Sequence, residues 1–165
     1  MFTTTLLSFS IIAMPHVVSV EKEAIIPDEV LRFGGVTVTM QQEDFGRVKI
    51  DDSVRVEDFP LGNEGDVDLM LNRFDVLTPE SEIVRGTMNI NGELLQKPYP
   101  KPEIVFLQGT VQDDPTSRVF LAIGKHTTNG LIERNGSKYV LVKEKNGQWT
   151  TVYNLSNVDP EDMNW

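Results

Sequence analysis

Apolar and polar positions alternate in short runs along most of the chain, and Gly, Asn, Asp and Pro separate the runs. A period of two places successive side chains on opposite faces of a strand, so the pattern predicts β-structure, and helix signals are scarce. Val36, Val38 and Met40 point one way while Thr37 and Thr39 point the other. Val48 and Ile50, then Val54 and Val56, extend this around an Asp51-Asp52 turn. After a turn at Leu61-Gly62-Asn63-Glu64-Gly65, Val67, Leu69 and Leu71 alternate with Asp66, Asp68 and Met70, and Phe74 and Val76 carry the strand on. Thr78-Pro79-Glu80-Ser81 ends it, because Pro cannot donate to a sheet ladder. Ile83-Val84 and Met88-Ile90 are further strand candidates, and Asn91-Gly92 suits a tight hairpin turn.

Lys97-Pro98-Tyr99-Pro100-Lys101-Pro102 is the densest proline cluster and predicts an extended, sheet-poor connector between two β-rich halves. Beyond it, Ile104–Val111 reads as a strand, Asp113–Ser117 as a turn and Arg118–Ile123 as the returning strand. Gly130–Arg134 leads into Asn135-Gly136, the strongest two-residue hairpin signal, and Lys138–Val142 comes back. Asn146-Gly147 then turns into Trp149–Tyr153. The expected fold is all-β: an antiparallel sandwich or partly closed barrel of hairpins and meanders, over residues 20–158, with 159–165 as an exit tail toward a downstream domain.

The start of the chain differs in kind. Leu6, Leu7, Phe9, Ile11, Ile12, Ala13 and Met14 form an apolar stretch too short to span a bilayer but of signal-peptide length. Val17 and Ser19 fill the small-residue cleavage positions, which makes residues 1–19 a leader and predicts a secreted or periplasmic protein; no Lys or Arg precedes the stretch. The alternative for this segment is a buried N-terminal strand.

Composition narrows the chemistry. The 165 residues carry a net charge of −10, so phosphate neutralisation of a nucleic acid and attraction to an anionic membrane are both disfavoured. Up to Lys97 there are 8 basic and 17 acidic residues, against 7 and 8 afterwards, so an acidic docking face belongs to the first part. Zero cysteines exclude disulfides, thiolate metal sites and thiol nucleophiles. His16 and His126 cannot form the paired histidines of a zinc peptidase, and no Gly-x-Ser-x-Gly elbow is present. Glu43-Asp44, Asp51-Asp52 and Asp113-Asp114 are adjacent pairs, which a strand would point to opposite faces, unlike a glycosidase pair. Asn63, Glu64, Asp66 and Asp68 approach a calcium loop only loosely. No catalytic residue, metal site or cofactor is expected. Trp149 and Tyr153, on one strand face with Thr151 between, are either half of a core or a flat aromatic platform for carbohydrate.

The order of the motifs in the second half resembles the pro-region of reprolysin- and adamalysin-type zinc metallopeptidases. The likeness is carried by the Phe106–Ile123 run, with Gly109 and Val111 ending one strand, Asp114, Pro115 and Ser117 in the turn, and Arg118 and Val119 opening the return. Gly130, Leu131 and Ile132, then a strand centred on Tyr139, follow in order. Val56–Gly62 and Val67–Val76 are similar to the upstream part of bacterial members. The resemblance implies a non-catalytic domain that assists folding of a secreted zinc metallopeptidase or keeps it latent, in cis or in trans. Without cysteine, a thiolate on the catalytic zinc is excluded, which leaves steric cover. The peptidase with its three-histidine motif is not among these residues. The other reading is a stand-alone extracellular binding module for carbohydrate or protein, using Trp149 and Tyr153.

Overall fold

The computed structural model of the chain describes residues 14–24, 26–143 and 149–159. Its strands are β1 (His16–Ser19), β2 (Glu21–Lys22), β3 (Val36–Thr39), β4 (Ser53–Pro60), β5 (Asp66–Phe74), β6 (Ile83–Met88), β7 (Leu94–Tyr99), β8 (Ile104–Val111), β9 (Asp114–Gly124), β10 (Thr128–Arg134), β11 (Ser137–Lys143) and β12 (Thr150–Asn154). Two five-residue helices, α1 (Asp28–Arg32) and α2 (Gln42–Gly46), flank β3. Ten strands form one sheet in the order β1-β4-β5-β8-β9-β10-β11-β12-β3-β2, and β6-β7 form a second, separate sheet.

The large sheet is a nearly closed barrel, and its closure follows from how its two edges are joined. Ser19 pairs with Glu57 of β4 in parallel, and two residues later Glu21 pairs with Thr39 of β3 in antiparallel. One short stretch of chain, bent at Val20, thus completes both edges of the sheet. The remaining pairings shown are antiparallel, and from β8 to β12 they form the expected meander. The expected alternation holds inside the barrel. Val54, Val56, Leu69, Leu71, Leu107, Leu121, Ile123, Ile132, Leu141 and Val152 all point inward and are almost fully buried. Phe45 of α2 joins this core with no exposed surface, so the interior is filled by side chains.

Several expectations shift in detail. The turn placed at Asp113–Ser117 lies at Gln112-Asp113, since Val111 already pairs with Asp114 and Pro115–Ser117 belong to β9. Side-chain bonding explains the shift: Ser117 Oγ accepts from the Val111 amide at 2.8 Å and donates to the Asp114 carbonyl, while Asp114 Oδ1 accepts from the Thr116 amide and hydroxyl. The proline cluster is extended, but Lys97, Pro98 and Tyr99 pair with Arg85, Val84 and Ile83 and so belong to β7. It divides no domains, because β5 and β8 on either side of it are neighbours in the barrel. The proposed 1–19 leader overlaps β1, while residues 1–13, the Asn146-Gly147 turn and most of the 159–165 tail lie outside the described residues.

Candidate binding surface

The motif residues that carry the resemblance serve the barrel wall. A Cβ on Gly109 would sit 1.9 Å from the Met70 carbonyl oxygen, so only glycine permits β8 to approach β5 where the β8–β9 register slips. Gly130 has the same role on β10, where a Cβ would come within 2.7 Å of Leu121. Val111, Ser117, Val119, Ile132 and Tyr139 are buried, whereas Pro115, Arg118 and Leu131 are exposed. Tyr139 is 1% exposed, and its hydroxyl lies beside Glu64, Ser137 and Asn154; burial first, then the Glu64 carboxylate, pushes its pKa up to about 12.

The outer face of the barrel is where apolar side chains remain uncovered. Because the inward positions alternate with outward ones, cross-strand pairing lines up Phe74 with Phe106, Phe120 with Leu131, Leu131 with Val140, and Val140 with Tyr153. The three phenylalanines close the one gap in this row: ring centroids of Phe106 and Phe120 are 6.4 Å apart, and those of Phe74 lie 5.9 and 6.1 Å from them. The row therefore crosses six strands. Phe120 is 41% exposed and Leu131 36%. At its far end Tyr153 is half-buried, its ring tilted against Phe33 at 6.2 Å, and Trp149 is half-buried just before β12.

Phe74 ends β5 and Ile104 begins β8, so residues 75–103 leave the barrel at the phenylalanine end of this row. A cleft of about 340 Å³ lies at that root, lined by Val76, Leu77, Pro79, Pro102, Ile104 and Phe106 among others. Lys101 Nζ donates to the carbonyls of Thr78 and Pro79 at 3.0 Å each and holds the two arms of the excursion together. Beyond the root stands the β6–β7 hairpin, turned by Gly92 at φ 80°. Met88, Ile90, Leu94, Leu95, Val84 and Tyr99 on it are all exposed. Row and cleft meet at Phe106, and the hairpin carries a further set of exposed apolar side chains; alternation along each strand foreshadowed the row, but the pairing of neighbouring strands assembles it.

The residues weighed for chemistry are not gathered. Ser117 is committed to the β8–β9 turn, and His126 is exposed in the loop after β9. Among the described residues no group of three or more His, Cys, Asp or Glu side chains could hold a metal ion. Asp68 instead bonds Arg55 at 2.6 Å and accepts from the Asp58 amide, contacts that hold its carboxyl below the ordinary range. Asn154 caps the last 3-10 turn by accepting from Ser156, and Asn135 occupies a hairpin turn at φ 50°. Among the described residues no helix is long and apolar enough to cross a membrane. No protein-family model and no curated protein matches the chain.

Proposed function

We propose that this chain is a non-catalytic binding domain that covers a secreted zinc metallopeptidase, in cis or in trans, and by doing so keeps it latent or assists its folding. The observation that carries the reading is the apolar row on the outer face, with Phe120 and Leu131 exposed and Phe74 and Phe106 half-buried, which reaches the cleft through Phe106. Contiguous exposed apolar surface rimmed by polar residues is what a protein buries against another protein, with aromatic side chains as anchors. The filled barrel interior favours recognition on the outside over a ligand held within. The class of partner comes from the resemblance of the Phe106–Ile123, Gly130–Ile132 and Tyr139 motifs to metallopeptidase pro-regions. Latency here would be steric, by burial of the row against the peptidase, since no thiol is available to reach a catalytic zinc.

The test adds the purified domain to a reprolysin-type peptidase and measures cleavage of a peptide substrate and the yield of peptidase refolding. Slowed cleavage or raised yield is expected. The double variant Phe120→Glu/Leu131→Glu should weaken the effect about tenfold or more, because carboxylates would then be desolvated at the contact. Phe120 also packs on Phe74 and Phe106, so some loss of stability is expected, and far-UV circular dichroism together with the urea midpoint establishes that the variant is folded under the assay conditions. Neither inhibition nor folding assistance by the parent domain would overturn the reading.

A further inference from the structure

The β6–β7 hairpin is built as an incomplete sheet. Two strands without a packed face are marginal in water, and a third strand is the ordinary remedy. Its two outer edges are not equivalent. Pro98 lies within β7 and Pro100 follows it, and a proline offers no amide hydrogen to an added strand. β6, Ile83–Met88, contains no proline and presents a row of backbone donors and acceptors.

The side chains state what an added strand must look like. Paired residues of an antiparallel ladder share a face, so one face carries Val84 with Pro98 and Met88 with Leu94 on either side of a central Gly86–Gln96 pair, and is apolar at both ends. The other carries Arg85 directly opposite Lys97 at its centre, flanked by Ile83 with Tyr99 and Thr87 with Leu95. Two cations in that position repel each other, which destabilises the hairpin unless an anion lies between or beside them. Among the described residues neither has an acidic side chain within ion-pair distance. The excursion 75–103 carries five acidic and three basic residues, so the cationic character is confined to the Arg85–Lys97 pair, and it is this pair that is complementary to a carboxylate of a partner.

We infer that β6 is the receptor edge for an extended strand of the partner protein, one that carries carboxylates along one side and apolar side chains along the other. Added antiparallel to β6, such a strand sets a carboxylate beside Arg85 and Lys97 and apolar groups against Val84 and Met88, while its backbone fills the open edge. The inference rests on the reading of this surface as protein-binding, and it names the chemistry of the segment bound.

The probe is a blocked octapeptide of alternating Val and Glu, with alternating Val and Lys as its charge-reversed control, added to the full chain. Amide exchange followed by NMR should slow across Ile83–Met88 with the Val-Glu peptide and not with the Val-Lys one. Arg85→Glu should weaken the Val-Glu peptide about tenfold or more and improve the Val-Lys peptide. Since Arg85 is exposed, an unchanged far-UV circular dichroism spectrum checks that the variant folds. Equal binding of both peptides, protection on β7 in place of β6, or β6 amides already protected in a dimer of the free protein would overturn the inference. Peptide protection on β6 without any effect on a peptidase would instead remove the metallopeptidase reading and leave the edge standing; peptidase restraint that Arg85→Glu leaves intact, with no β6 protection, would remove the edge alone.

Discussion

Gly109 and Tyr139 show how single residues shape this wall. Replacing Gly109 with alanine puts a methyl group 1.9 Å from a backbone oxygen of the neighbouring strand, and β5 and β8 must part to admit it. The cost should be about 3 kcal/mol or more, measured as a lowered urea midpoint, whereas alanine at Gly136, with open space around its Cβ position, carries only the strain of φ 80°. For Tyr139 the folded protein holds the phenolic proton to about pH 12 while the unfolded chain releases it near pH 10. The stability linked to this proton is therefore complete below pH 10 and is lost as pH rises toward 12, with the unfolded state releasing the proton first. Urea unfolding should show the parent losing about 2 kcal/mol more than Tyr139→Phe between pH 9 and pH 12, and parallel profiles would refute the assignment. The sequence marks Tyr139 as a strand centre, and its inward alternation with Leu141 is legible there. Its company is only half so: Asn154 faces it from the next strand of the meander, whereas Glu64 comes from the distant turn before β5.

At the level of elements, the hairpin and the barrel should behave as separable units. The β6–β7 side chains are exposed or half-buried throughout, and none belongs to the core, so the hairpin draws little stability from the barrel. Replacing residues 83–99 by a short Gly-Ser link should leave the urea midpoint of the barrel within the equivalent of about 0.5 kcal/mol, and in the intact chain the hairpin amides should exchange far faster than those of β8 and β9. A large loss of barrel stability would show that the hairpin packs more closely than its exposure indicates. The elements that sequence reveals best are those with local punctuation: Asn135-Gly136 fixes the β10–β11 turn, with both residues at positive φ, and Asn91-Gly92 sits in the β6–β7 turn. Those it hides lack that punctuation. The helices α1 and α2 are five residues each and show no sustained 3.6-residue period, and Lys97–Tyr99 look unfit for a ladder until β7 proves to be an edge, where a proline is tolerated.

Across the whole molecule, the feature hardest to foresee is closure. Val17-Val18 follow an apolar stretch that reads as a leader, so their alternation is easily absorbed into it, yet Val18 is 5% exposed in the barrel core and His16–Ser19 pair with Val54–Glu57. A mature chain beginning near Val20 would lack β1, leaving β4 with an open edge opposite the short β2. Comparing chains that begin at residues 14 and 20 separates the two parts of the N-terminus. The chain from residue 14 keeps every described pairing that closes the sheet and serves as the reference. The chain from residue 20 loses the β1–β4 ladder and the burial of Val18, and should be less stable by about 3 kcal/mol or more, with self-association through the exposed β4 edge visible in sedimentation. Val18→Asp in the full chain should reproduce most of that loss by burying an unpaired carboxylate at the seam. A chain from residue 20 as stable and as monomeric as the one from residue 14 would show that β1 is dispensable to the barrel.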